Sequence, residues 1–349
     1  MSTTPKVALV GAGVIGTHHG LVISQLADRI KLVAVADCEI ERAERLAAER
    51  GGRPFVSLTD ALAAVDVDVV VVCTPTGRHG EVAIEALAAG KHVIVEKPAE
   101  ITVARTDEII EARQKAGKVV TVISQHRFDP ATETTLAAIE RGELGRLTSG
   151  IASIDWWRGQ SYYDSGDWRG TWELDGGGAL MNQGVHTVDL LVATMGRPVE
   201  VFAYTGTLAH ERIEVEDVAV AVVRFDSGAL GVLHATTAAY PGLSARLQVH
   251  GDRGSAVIDN DQLTFFHATA EGSETEEMLM GTTQAVSGLT AGSDPGQLSD
   301  AHRLQYLNFL GALDGTERLR VDLETNRQSI GVITGAYESA RTGRPVRLS

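Results

Sequence analysis

The strongest constraint on the fold is an alternation in the first 123 residues. Val7–Val10, Leu32–Ala36, Val67–Cys73, His92–Val95 and Val119–Ile123 are short, nearly uninterrupted apolar runs rich in β-branched residues. Such runs fit strands of a parallel sheet that is covered on both faces. Between them, Glu39–Arg50, Glu81–Ala89 and Thr102–Ala116 have helical composition, and Gly51, Gly90 and Gly117 follow as stop signals. A βαβαβ series requires right-handed crossovers, so residues 1–123 are expected to form a doubly wound parallel α/β sheet.

The pattern changes at about residue 124. Helical stretches persist at Pro130–Arg141, Gly178–Met195, Leu298–Leu313 and Leu323–Thr342. The runs Val199–Thr207, Val215–Phe225, Leu230–Ala238, Ala245–Val249, Ala256–Ile258 and Leu263–His267 read as successive strands. Asp226-Ser227-Gly228 and Asp252-Arg253-Gly254 supply turn chemistry between them. Residues 124–349 are therefore expected to form an α+β domain with a mostly antiparallel open sheet. The polar, Gly/Ser/Thr-rich stretch 271–300 reads as a long surface excursion.

Gly11-Ala12-Gly13-Val14-Ile15-Gly16 directly follows the first strand and opens a helix. The first glycine permits a tight turn, the second a close approach to a pyrophosphate, and the third close helix–strand packing. The helix start then offers free N–H groups to phosphate. Asp37 ends the second strand 21 residues after Gly16, the spacing of an acid that bonds a ribose 2′-hydroxyl. A tight turn beside a capping aspartate is the simpler alternative, and the joint spacing disfavours it. This is the signature of a Rossmann domain. A carboxylate at 37 repels a 2′-phosphate, so NAD is expected and NADP is less favoured.

Charge and cysteine content narrow the remaining classes. The 349-residue chain carries a formal net charge of −15, which opposes sequence-independent attraction to nucleic acid or anionic membranes. Residues 1–123 hold 14 basic and 16 acidic groups, net −2; the remainder holds 17 and 30, net −13. Two cysteines, Cys38 and Cys73, are too few for a disulfide framework or a thiolate zinc site. No metal site is expected. No apolar run approaches the roughly 20 residues that span a bilayer. The first residues run straight into a strand without a signal-peptide pattern, so a cytoplasmic location is expected.

All six lysines precede residue 119. Ligands of open α/β sheets bind beyond the carboxyl ends of the strands. Lys6, Lys31, Lys91 and Lys118 fall at strand starts, and Lys115 lies on a helix. Only Lys97, after His92-Val93-Ile94-Val95-Glu96, stands at a strand's carboxyl end. There a partly desolvated lysine beside a cationic nicotinamide has a lowered pKa and exchanges a proton with a substrate hydroxyl. Pro98 restricts Lys97 to extended geometry and is compatible with a cis bond. An ordinary solvated loop lysine is the alternative.

Glu96-Lys97-Pro98, the upstream glycine fingerprint, Cys73-Thr74-Pro75-Thr76-Gly77-Arg78-His79 and Ala88-Ala89-Gly90-Lys91-His92 together carry a resemblance. Across essentially its whole length the chain resembles the glucose–fructose oxidoreductase / inositol dehydrogenase / rhizopine-catabolism (Gfo/Idh/MocA) family. The resemblance implies cofactor contacts from Gly11, Gly13, Val14, Ile15, Gly16, Asp37, Thr74, Pro75, His79, Glu96, Lys97 and Gln125. It also identifies Gln125-His126-Arg127-Phe128 with the family's hinge motif, Gln125 towards the nicotinamide and Arg127 towards the substrate.

The run Gly176-Gly177-Gly178-Ala179-Leu180-Met181-Asn182-Gln183-Gly184-Val185-His186 begins as a glycine turn and continues as a helix. Asn182, His186 and Asp189 recur at i, i+4 and i+7 and are expected on one helical face. The resemblance implies an acid–base role for His186 and a substrate role for Asn182, where the family more commonly has Asp. Asparagine carries no proton and only orients a hydroxyl. Asp189 reads as structural, as do Cys38, Cys73, His18 and His19. All four tryptophans lie between Trp156 and Trp172, with Tyr162, Tyr163, Arg158, Asp164, Asp167 and Arg169 among them. The cluster suits either a core or a sugar-binding surface. Tyr163, Trp168, Arg158 and, foremost, Arg169 are the candidate substrate contacts.

The function expected is an NAD-dependent dehydrogenase oxidising a secondary hydroxyl of a sugar, glycoside, anhydrosugar or related polyol. The alternatives are an NAD-assisted glycoside-cleaving enzyme, a nucleotide-sugar oxidoreductase and a non-catalytic dinucleotide-sensing regulator. Lys97 and His186 argue against the last, and the −13 charge of the second part against a diphosphate ligand. The resemblance implies a homodimer or homotetramer, joined through the exposed face of the second sheet.

Overall fold

The computed structural model describes residues 4–269 and 295–349. These form two compact units. The first takes the residues up to Gln125, then Glu173–Gly176, and the stretch from Pro295 to Arg327. The second holds His126–Trp172, the stretch from Gly177 to residue 269, and Gln328–Ser349. A single division after residue 123 would thus leave two later segments of the first unit on the other side. Among the described residues, no helix is long and apolar enough to cross a membrane.

The first unit is built on six parallel strands: β1 (Lys6–Val10), β2 (Lys31–Ala36), β3 (Arg53–Phe55), β4 (Val69–Val72), β5 (His92–Val95) and β6 (Val120–Val122). Their order is β3-β2-β1-β4-β5-β6. Winding reverses between β1 and β4, and an open sheet of this kind offers its ligand crevice at the carboxyl ends flanking that switch. Val69–Val72 is buried at every residue, because helices cover both faces. The stop glycines take left-handed geometry where it is needed, Gly90 at φ +74° and Gly117 at φ +62°. The short β3 and the helix Leu58–Ala64 have no counterpart in the sequence reading. The helix Pro295–Leu313 contributes Tyr306, Phe309 and Leu310 to the core under β1 and β4.

The second unit carries β7 (Leu147–Asp155), β8 (Pro198–Gly206), β9 (Val218–Phe225), β10 (Leu230–Thr236), β11 (Ala245–Gly251), β12 (Gly254–Asp259), β13 (Gln262–Ala268) and β14 (Val346–Arg347). Their order is β13-β12-β11-β7-β10-β9-β8-β14, antiparallel except for the β7–β10 pair. The sequence reading missed β7, a Ser/Thr/Gly-containing strand of weak pattern. Helices Val185–Met195 and Leu323–Thr342 pack their apolar residues against one face. The other face leaves Tyr204, Val220, Val222, Leu230 and Val232 exposed. The surface excursion expected from 271 lies outside the described residues as far as 294, and from 295 the chain is helical.

Candidate functional site

In the first unit, the glycine fingerprint is justified by contacts. At Gly11, with φ +96°, a Cβ would stand 2.4 Å from the Cys73 carbonyl oxygen. At Gly16 it would stand 1.9 Å from the Gly11 oxygen. Gly13 is different, because no atom lies within 4 Å of its Cβ position. It precedes the helix Val14–Gln25, whose first turn has no capping side chain and no acidic residue. Val14, 89% exposed, stands beside this open cradle. Free amides, open space and an uncovered apolar side chain fit a dinucleotide pyrophosphate.

Asp37 directly follows β2 and is 9% exposed. Its Oδ2 accepts the Ala12 amide at 2.7 Å and its Oδ1 the Glu39 amide at 2.9 Å. Each oxygen keeps acceptor capacity for a ribose hydroxyl. Arg42, the nearby cation, is paired with Glu39 at 2.9 Å.

Lys97 stands two residues past the end of β5, at the carboxyl edge, and its bond to Pro98 is cis. The residues around it are held from inside the unit. Glu96 accepts the Lys97 amide on Oε2 at 2.9 Å and meets His19 Nε2 with Oε1 at 2.8 Å. His19 Nδ1 lies 2.7 Å from the Tyr306 hydroxyl. Burial keeps His19 below its ordinary pKa and so neutral. One proton arrangement then satisfies every contact: Tyr306 donates to His19, His19 donates to Glu96, and Glu96 stays anionic. Burial alone favours the neutral acid, but His19 and His302 hold Glu96 well below the usual carboxylate range. Both oxygens of Glu96, the expected cofactor contact, already hold a protein partner, and the residue is 5% exposed.

His79 departs from expectation in the same way. It is fully buried, with Nδ1 2.7 Å from the Pro98 carbonyl and Nε2 2.8 Å from the Thr74 carbonyl. Burial keeps the ring below its ordinary pKa and therefore neutral, so it donates to one of these two carbonyls, and both nitrogens face protein. Gln125, 5% exposed, closes the unit after β6.

In the second unit, Glu216 organises the glycine turn. Its Oε2 accepts the Gly178 amide at 2.9 Å; Oε1 accepts the Leu180 amide at 2.8 Å and the Tyr337 hydroxyl at 2.9 Å. Burial raises its pKa to about 7. A Cβ on Gly178 would lie 1.7 Å from the Glu216 carbonyl oxygen, so this approach requires glycine. Sequence reasoning missed Glu216, which lies 34 residues after Asn182 with no motif around it.

The expected continuous helix is instead a π-turn at Ala179–Gln183 followed by the α-helix Val185–Met195. Such widened turns are frequent at functional sites. From Asp175 to Val192, Asn182 and His186 are the two residues that are not buried. Asp189 is buried and takes Arg127 in a bidentate pair at 2.6 and 2.7 Å. Arg127, the expected substrate contact, gives its Nε and Nη2 to this pair. His126 packs its ring 5.0 Å from that of His186. Against burial, Asp129 at 2.8 Å and Asp261 at 3.1 Å push the pKa of His126 up to about 10.

The aromatic segment divides. Tyr163 points inward, 5% exposed, its hydroxyl 2.8 Å from Thr237 Oγ1 and its pKa raised by burial to about 12. It is core, not a substrate contact. Arg158 stacks on Trp156 and Tyr162, both at 5.2 Å, while Arg169 stacks on Tyr162 at 4.3 Å and Trp168 at 4.7 Å. All five side chains are partly exposed.

Two family models match this chain. The NAD-binding Rossmann-fold oxidoreductase model GFO_IDH_MocA spans residues 5–124. The GFO/IDH/MocA C-terminal domain model spans residues 132–257. The chain belongs to the Gfo/Idh/MocA oxidoreductase family. This family member is 30% identical over 279 residues to a myo-inositol 2-dehydrogenase of Thermotoga maritima, covering 76% of this chain and 78% of that protein. A levoglucosan dehydrogenase of Pseudarthrobacter phenanthrenivorans is 28% identical over 293 residues, 74% of each. Among solved structures, the WlbA dehydrogenase of Bordetella pertussis, in complex with NADH and UDP-GlcNAcA, is 33% identical with a TM-score of 0.87. That match covers 99% of both chains. The Gfo/Idh/MocA chain described here is thus an NAD-binding oxidoreductase.

Proposed function

We propose that the protein oxidises a secondary hydroxyl of a sugar, glycoside, anhydrosugar or related polyol to the ketone, using NAD. The observation that carries this reading is the position of Lys97. It follows β5 at the carboxyl edge of the sheet that bears the glycine fingerprint, whereas Lys6, Lys31, Lys91 and Lys118 begin or precede strands.

NAD supplies the hydride acceptor when bound. Lys97, as the amine, takes the hydroxyl proton while the C–H bond breaks. His186 hydrogen-bonds the same or the neighbouring oxygen and passes the proton onward, and Asn182 orients a hydroxyl. The partial exposure of Asn182 and His186 on an otherwise buried segment supports these roles. Glu96 and His79 are positioning residues that fix the backbone on either side of Lys97. The relatives named for inositol and levoglucosan support a carbohydrate substrate.

A second reading, a nucleotide-sugar oxidoreductase, is favoured by the full-length match to WlbA, whose complex holds UDP-GlcNAcA. The exposed apolar face of the second sheet supports self-association as a homodimer or homotetramer.

The test is reduction of NAD by a panel of free sugars, inositols, anhydrosugars, glycosides and nucleotide sugars. Reduction by one class, lost in Lys97→Ala, is expected. Tight NAD binding with no reduction across the panel would move the assignment to glycoside cleavage or regulation.

A further inference from the structure

Arg158 and Arg169 share one ring. Their guanidinium carbons lie 5.2 and 4.3 Å from the centroid of Tyr162, so the two cations stand within about 9.5 Å of each other. Six other arginines of this unit, Arg141, Arg146, Arg197, Arg212, Arg224 and Arg246, each meet a carboxylate, and Arg341, Arg344 and Arg347, for which no ion pair is seen among the described residues, are exposed to solvent. Among the described residues, neither Arg158 nor Arg169 meets a carboxylate. Arg158 Nε is moreover buried with no hydrogen-bond partner among them. Two half-buried cations without counter-ions are unexpected where residues 124–349 carry a net charge of −13.

The arginines are also held in place. The Arg158 amide donates to the Thr237 carbonyl at 2.9 Å, and the Arg158 carbonyl lies 2.7 Å from His210 Nε2. Gly170, at φ +70°, turns the chain after Arg169 where a Cβ would press on Ile213. Trp156 and Trp168 flank the pair and hold the guanidinium planes by stacking. The Tyr162 hydroxyl accepts from Gln183 Nε2 at 3.0 Å. Gln183 is the neighbour of Asn182, so the arginine pair is tied to the segment that presents Asn182 and His186.

We propose that Arg158 and Arg169, stacked on Tyr162, form a subsite for a negatively charged group of the sugar substrate, a carboxylate or a phosphate. The inference rests on the reading that Asn182 and His186 face the reacting sugar, and it narrows that substrate to an anionic one. Guanidinium groups bind both anions in bidentate fashion. A uronic acid would place its own carboxylate there, and a nucleotide sugar its diphosphate.

The test titrates the NADH-loaded protein with glucose, glucuronate and UDP-glucose, followed by calorimetry and tryptophan fluorescence. At least one anionic ligand is expected to bind about tenfold or more tightly than glucose. That preference should shrink with added NaCl and vanish in Arg158→Gln/Arg169→Gln. The Arg158→Lys/Arg169→Lys variant keeps the charges and should retain part of it. Preference for glucuronate identifies the carboxylate, and preference for UDP-glucose the diphosphate. Equal binding of all three, a preference insensitive to salt, or one that survives the glutamine variant overturns the proposal. Unchanged NADH affinity in the variants reports that they are folded. Reduction of NAD by the same sugars is followed separately with the NAD-loaded protein, and tight anion binding with no reduction by any sugar would count against the dehydrogenase reading and leave the subsite. Oxidation of neutral sugars with no anion preference would do the reverse.

Discussion

Glu96 Oε1 lies 2.8 Å from His19 Nε2, inside the unit and at the end of the strand that delivers Lys97. The buried carboxylate therefore braces the backbone of the proposed base from inside the unit. Glu96→Ala would leave the His19 N–H and the Lys97 amide without their acceptor. Leaving one buried and one part-buried donor without an acceptor costs about 2–4 kcal/mol, and a lower melting temperature measures it. His19→Gln keeps a donor near Glu96 and should cost less.

The same pair sets an acid limit. His19 titrates below its ordinary value in the fold, so the folded state resists a proton that the unfolded chain accepts. Stability present above about pH 6.5 is lost as pH falls towards the folded value, at about 1.4 kcal/mol per pH unit. Glu96 works in the same direction below its unfolded pKa. Unfolding free energy measured between pH 7 and 4 should fall steeply, and less steeply in His19→Gln.

His126 sets the opposite limit. Its pKa is raised to about 10 beside Asp129 and Asp261, so its contribution is complete below about pH 6.5 and disappears as pH rises through 10. With Asp261 half exposed and screened, the contribution is about 2–4 kcal/mol. His126→Asn should be less stable than the parent at pH 6.5, and the two should converge by pH 10.5 in the same unfolding assay.

Asp37 should govern cofactor choice. Asp37→Ser is expected to weaken NAD binding by about tenfold and to narrow the gap between NAD and NADP. Dissociation constants for both dinucleotides, measured by fluorescence, test this. A variant that still excludes NADP as strongly as the parent would show that another group discriminates.

Val222 and Val232 are 52% and 41% exposed on neighbouring strands β9 and β10. If the sheet face joins protomers, Val222→Glu/Val232→Glu places charges in an apolar interface and should shift the protein towards monomer. Sedimentation velocity measures the shift, and an unchanged sedimentation coefficient would place the interface elsewhere.

The residues easiest to read from the sequence were those whose role is set by the backbone. Gly11, Gly16 and Lys97 are placed by strand ends and turn geometry, and the structure puts them at the carboxyl edge of the first sheet. Side-chain direction was harder to read, because it depends on partners far along the chain. Glu96 turns inward because His19, 77 residues away, takes its oxygen. Arg127 does so because Asp189, 62 residues on, matches its fork. Tyr163 and Tyr162 are adjacent, yet Tyr163 goes to Thr237 and the core while Tyr162 supports two arginines. The π-turn at Ala179–Gln183 was hidden for the same reason, since Glu216 organises it from a distant strand connection.

The central claim is that hydride leaves a sugar carbon while Lys97 takes the hydroxyl proton. It is tested most directly by supplying a substrate sugar deuterated at its ring carbons and weighing the reduced nicotinamide by mass spectrometry. The account predicts one deuterium per reduced cofactor with the parent protein, and almost no reduced cofactor with Lys97→Ala. Reduced cofactor without deuterium, or an undiminished rate in Lys97→Ala, would contradict it.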